Sequence, residues 1–114
     1  MIIEVGEKIH VMYRSLYEKS TRRHLVGEVL YAKNALCRIS GFVFIYDEKK
    51  TEFIKKTERR ITIINAAESG YIVNIINPKA DLESVHYSYS PDQGLIATDD
   101  KCFTLNINEF GSKS

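Results

Sequence analysis

The sequence predicts an all-β fold: a small closed or partly open antiparallel barrel of seven to eight short strands with one short helical turn. Three observations carry this expectation. Turn signals recur at short intervals, and the apolar runs between them have strand length. Within several runs, apolar and polar residues alternate with the period of a pleated strand. A set of many short strands must also close or stack to hide its edges.

Length and composition set the outer bounds. A chain of 114 residues is expected to form one domain, 1–114, with a frayed end at 112–114. It is long enough to bury a core without a metal or disulfide staple. Hydrophobic residues at 44% and charged residues at 27% exclude collagen, coiled coil and wholesale disorder. No apolar run approaches the roughly twenty residues of a membrane helix. Met1-Ile2-Ile3-Glu4-Val5-Gly6-Glu7 has no basic leader, and Glu4 breaks its apolar run, so a cytoplasmic location is expected.

The elements follow in order. Residues 8–15 alternate, with Ile9, Val11 and Tyr13 on one face. Ile9, Met12, Tyr13, Leu16 and Tyr17 also fit helical spacing. The strand is preferred because Ile, Val and Tyr suit a pleated surface and no N-cap residue precedes the segment. A polar loop is expected at 18–21. A strand over 23–32 carries Gly27, which marks a bulge or a close backbone approach. Lys33-Asn34 is a tight-turn candidate. Residues 36–46 are the most hydrophobic stretch. Phe42-Val43-Phe44-Ile45-Tyr46 is apolar on both faces and predicts a central strand covered on both sides. Gly41 in this stretch allows a long strand to bend.

Asp47-Glu48-Lys49-Lys50 reads as a turn and 51–56 as a returning strand, although Glu52 and Lys56 would also pair on a helix. Residues 60–65 and 71–76 flank a turn at 68–70 and look like a hairpin. Asn77-Pro78 is the start expected of a helical turn that ends by Ser84. Val85, Tyr87 and Tyr89 alternate on the next strand. Ser90-Pro91-Asp92-Gln93-Gly94 has turn chemistry. Leu95-Ile96-Ala97, a turn at 99–101, and Phe103, Leu105 and Ile107 complete a C-terminal meander.

The net charge of +1 hides an asymmetry. Residues 1–60 carry thirteen Lys/Arg against eight acids, and residues 61–114 carry three against seven. Such a split hints at an anionic partner for the basic half. Arg22, Arg23 and His24 precede one strand, and Lys55, Lys56, Arg59 and Arg60 flank another. Nucleic-acid binding needs several cations on one surface, and the nearby Tyr13, Tyr17 and Phe53 could stack on bases. The ordinary alternative is that the cations are solvated and the rings are core. No signature of an RNA-recognition motif, a KH domain or a helix-turn-helix is present. Seven Tyr without a Trp make Tyr87 and Tyr89 candidates for an interface, because exposed Tyr combines area with a hydroxyl.

Catalytic, cofactor and metal signals are missing from the sequence. There is no Gly-rich phosphate loop and no Gly-x-Ser-x-Gly elbow. Cys37 and Cys102 form no Cys-x-x-Cys pair, and each is read as a small hydrophobe in a strand. His10, His24 and His86 are scattered. Asp99-Asp100 and Asp47-Glu48 are adjacent pairs that read as turn polarity. No catalytic, cofactor-binding or metal-binding residue is assigned.

Arg23-His24-Leu25-Val26-Gly27-Glu28-Val29, Ser40-Gly41-Phe42-Val43-Phe44 and Asn106-Ile107-Asn108-Glu109-Phe110-Gly111 resemble segments of small bacterial proteins with no assigned function. The resemblance implies a bacterial single-domain protein and transfers no site residue. The expected function is a non-enzymatic binding or assembly module. Its partner is another protein or a second copy, as in a homodimer. RNA or DNA binding on the basic residues is the first alternative. A small-ligand or enzymatic pocket in the barrel is the second, with His10, Arg38 and His86 pointing inward. No membrane partner is expected.

Overall fold

The computed structural model describes residues 2–13, 22–68 and 70–107. Tyr17, the polar loop at 18–21 and the end at 112–114 lie outside them. The chain is all-β and divides into two compact units, Met1–Ile76 and Asn77–Ser114. Nine strands lie among the described residues, against the seven to eight expected. They form two antiparallel sheets.

The first unit contains β1 (Lys8–Tyr13), β2 (Arg23–Lys33), β3 (Leu36–Asp47), β4 (Glu52–Lys55), β5 (Arg60–Asn65) and β6 (Tyr71–Ile75). Of the two segments that also fit helical spacing, 9–17 is strand where it is described, in β1, and 51–56 is strand at Glu52–Lys55, in β4. The sheet order is β4-β3-β2-β1-β6, and β5 also pairs with β3. The length of β3 explains the branch. Its first half pairs with β5 from Leu36↔Asn65 to Gly41↔Arg60. Its second half pairs with β4 from Phe44↔Lys55 to Asp47↔Glu52.

The expected hairpin of 60–65 with 71–76 does not form. β5 pairs with β3, and β6 pairs with β1. No ladder joins β5 to β6 among the described residues, so the sheet is not closed into a barrel there. Side-chain matching explains the choice of partner. β5 sets Ile64 beside the buried Cys37, and β6 sets Val73 beside the buried Val11. Each strand thereby extends the same apolar face.

That face carries the core of Ile3, Ile9, Val11, Leu25, Val29, Cys37, Ile39, Val43 and Ile64. The opposite face of the central strands is buried too, with His10, His24, Val26, Phe42 and Phe44. The expectation that β3 is covered on both sides holds. Gly27 and Gly41 are directly paired. A Cβ on Gly41 would lie 2.0 Å from the Val26 carbonyl oxygen and 2.5 Å from the Gly27 Cα. Gly27 therefore marks a close approach, and the register shift of β2 falls between Val29 and Tyr31 instead. A turn at Asn34, with φ 55°, joins β2 to β3. Asn tolerates that left-handed conformation.

The second unit contains β7 (His86–Ser90), β8 (Gly94–Thr98) and β9 (Thr104–Asn106), a meander in the order β7-β8-β9. Asn77 does not cap a helix as expected. Its side chain accepts from the Lys79 N–H at 2.8 Å and its carbonyl from Ala80 at 2.9 Å, which closes a turn. A 3-10 turn follows only at Leu82–Ser84. Cys102 is exposed in the turn before β9 and is not in a strand.

Candidate functional site

Strand alternation decides where the basic residues point. On β2, Arg23 shares the parity of the core residues Leu25 and Val29. On β5, Arg60 shares the parity of Ile64. Both reach the same cleft, an opening of about 420 Å³ between β5 and β6. Its walls are Val11 and Tyr13 of β1, His24 and Leu25 of β2, Val43 of β3, Thr62, Ile63 and Ile64 of β5, and Tyr71 of β6.

Ladder register places Arg23 precisely enough to define a row across the sheet. Arg23 pairs with Tyr13 on one side and Ile45 on the other, and Tyr13 pairs with Tyr71. The Tyr13 and Tyr71 rings meet at 5.1 Å between centroids. Burial pushes the Tyr71 hydroxyl above its ordinary value, Glu68 and Tyr13 push the same way, and Arg23 opposes them. Arg23 and Arg60 are exposed, and neither forms an ion pair among the described residues. The cleft thus joins a cationic rim and two phenols to an apolar floor.

The other cations lie elsewhere. The Arg22 guanidinium covers the Tyr46 ring at 4.4 Å. The Lys55 ammonium lies 4.6 Å from the Phe42 ring centroid, with the Arg59 guanidinium at 5.0 Å. Arg59 also donates to the Ser40 hydroxyl at 3.3 Å. Phe42 and Phe44 are buried beneath these cations, so they offer no open ring for a base. Phe53 packs on His24 at 4.5 Å between centroids. His24 is 1% exposed, which denies its ring the access to phosphate that a binding role requires. Lys56 is exposed after β4. The seven basic residues named from the sequence are therefore divided between two faces of the sheet and its margins.

The three histidines separate as well. His10 and His24 meet edge to face at 5.6 Å. Burial, with His24 adding to it, lowers the His10 pKa from 6.5 to about 3, so its ring is neutral. Arg38 is exposed and does not point inward as the pocket alternative required. In the second unit, His86 donates its Nδ1–H to the Ser84 carbonyl oxygen at 3.1 Å and approaches Asp100 through Nε2 at 3.4 Å. Tyr89 is 74% exposed and Tyr87 half-buried.

One polar centre was not foreseen. Asp99 was read as turn polarity, yet it is buried. Its carboxylate accepts from the N–H groups of Asp81 at 2.9 Å, Lys101 at 2.9 Å, Cys102 at 3.1 Å and Phe103 at 3.1 Å. The Asp81 N–H bond and its three companions hold this carboxyl far below its usual range. Asp81 in turn receives the Lys101 ammonium at 2.9 Å. These contacts tie the 3-10 turn to the β8–β9 turn and serve the fold. The available signal is an Asp two residues after the apolar run Leu95-Ile96-Ala97.

One edge of β5 has no strand partner among the described residues. Ala66 N–H donates to Ala35 O at 2.8 Å, which sets the phase of the β3–β5 ladder. By antiparallel alternation, Thr62 and Ile64 direct their backbone groups to β3, and Ile61 and Ile63 direct theirs away. Ile61 and Ile63 are also 66% and 61% exposed. Comparison with protein-family models, curated proteins and solved structures finds no match to this chain.

Proposed function

We propose that this protein is a non-enzymatic assembly module that associates with a second copy of itself through the open edge of β5. The observation that supports this reading is a strand edge, unpaired among the described residues, that presents uncharged, outward-facing isoleucines. Residues 61–65 are Ile-Thr-Ile-Ile-Asn, without one charge or proline to blunt the edge. Exposed β-rich edges of this type take up another strand by backbone hydrogen bonding. A second copy presents the same edge, and a two-fold pairing of identical patches closes on itself. Ile61 and Ile63 of each copy would then cover one another.

Sedimentation velocity across the micromolar range tests the reading. A concentration-dependent dimer is expected. Ile61→Lys and Ile63→Lys together should return a monomer with an unchanged circular dichroism spectrum, because both side chains are exposed. A wild-type monomer throughout, or a dimer that survives both substitutions, would overturn the proposal. The exposed Tyr89 would then be the next surface to alter.

A further inference from the structure

We propose that the cleft between β5 and β6 binds a small monocarboxylate with an apolar body. The carboxylate is drawn to the Arg23 and Arg60 rim, and the body lies on Val11, Leu25, Val43 and Ile64. This inference stands apart from β5 pairing, since the floor it invokes is the inner face of the sheet; Ile63 alone belongs both to the cleft walls and to the exposed isoleucines of the β5 edge.

The chemistry of the walls selects the ligand. A cleft of about 420 Å³ is within the range of small-molecule sites, which are mostly apolar with a few placed polar groups. Here the placed groups are two guanidiniums and two phenols. Guanidinium presents a planar fork of donors that matches a carboxylate or a phosphate. Neither Arg23 nor Arg60 is engaged by a carboxylate of this chain among the described residues, so both are available to an external anion. Tyr13 and Tyr71 add two phenols to the lining, their rings 5.1 Å apart and Tyr71 within electrostatic range of Arg23. A free phosphate would satisfy the rim and leave the apolar floor wet. A hydrocarbon alcohol would cover the floor and leave the rim without an anion. A carboxylate on a hydrocarbon body satisfies both.

The sequence conceals this arrangement because Arg23 and Arg60 are 37 positions apart and each lies in a longer basic run. Parity on two strands, and the pairing of β5 with β3 in place of β6, bring them to one opening.

Isothermal titration calorimetry of the full chain tests the proposal with three probes: decanoate, decanol and inorganic phosphate. Decanoate is expected to bind saturably, with decanol and phosphate each about tenfold weaker or more, the difference expected of a charge-assisted pair. Arg23→Gln with Arg60→Gln should weaken decanoate by about tenfold or more and leave decanol unchanged. Lys49→Gln with Lys56→Gln, away from the cleft, should leave decanoate binding as it is. No saturable decanoate binding, equal affinity for decanoate and decanol, or full binding by the double arginine variant would each overturn the proposal. The probe comparison on the wild-type chain needs no variant, so a folding defect cannot conceal the answer. Sedimentation of the same samples reads self-association separately, and the failure of one reading leaves the other measurable.

Discussion

At His10 and Asp99 burial and charge conflict, and the two residues resolve the conflict in opposite ways. His10 stays neutral. The unfolded chain takes up a proton at this residue near pH 6.5 and the folded chain only near 3, so acid favours the unfolded state in that window. Stability contributed above pH 6.5 is expected to fall by about 1 kcal/mol per pH unit as the pH drops towards 3. Urea titrations from pH 7.5 to 4.5 check this, and His10→Gln should flatten the slope whatever it does to the absolute level. Asp99 stays charged because four backbone N–H groups replace its water. Its folded pKa lies below the unfolded value of 3.8, so its contribution is complete above about pH 4 and is lost as the pH falls further. Asp99→Asn keeps the shape but loses the charge and presents N–H donors of its own to that cluster. It should lower Tm at neutral pH and narrow the gap from wild type in acid. A variant as stable as wild type at pH 7 would show the cluster to be dispensable.

Among elements, the β2–β3 pair decides the geometry of the first unit. Its two glycines face one another at a point where no side chain fits. Gly41→Ala would press a methyl against the Val26 carbonyl and the Gly27 backbone. Backbone cannot yield as a flexible side chain does, so a loss of about 3 kcal/mol or more is expected, at the upper end of overpacking costs. Thermal denaturation would register it, and an unchanged Tm would mean that the strands separate there at little cost. At β5 the same reasoning applies to the free edge. β5 is paired towards β3 and has no strand partner on its other side among the described residues, and Ile61 and Ile63 are exposed, which is why charge at these two positions is expected to change association and leave folding alone.

For the molecule as a whole, the described cations of the first unit do not gather on one surface. Arg23 and Arg60 face the cleft, while Arg22, Lys55 and Arg59 lie over aromatic rings on the opposite face. Phosphate binding by a polymer depends on the number of cations that engage together. Fluorescence anisotropy with labelled RNA and DNA oligomers should therefore show weak association at low salt and none at physiological salt. Salt-sensitive micromolar binding that Arg59→Glu with Arg60→Glu weakens for every sequence would instead restore the nucleic-acid reading. Among the described residues no helix is long and apolar enough to cross a membrane.

The sequence by itself determined the strands, because their signals are local. Alternation in 8–13, the doubly apolar run at 42–46 and the turn chemistry at 90–94 each act over a few residues. The all-β class and the C-terminal meander followed from those signals. What only the tertiary structure decided was pairing. The turn between β5 and β6 looked like a hairpin, yet both strands found better apolar partners at greater separation. That choice left the sheet open there and turned two scattered arginines into the rim of one cleft. It also divided a run of cations that had looked like a patch, because adjacent strand residues face opposite ways. Burial of His24 and Asp99 was hidden for the same reason: each is polar in sequence, and only its neighbours across the fold supply the ring or the four N–H groups that let it leave water.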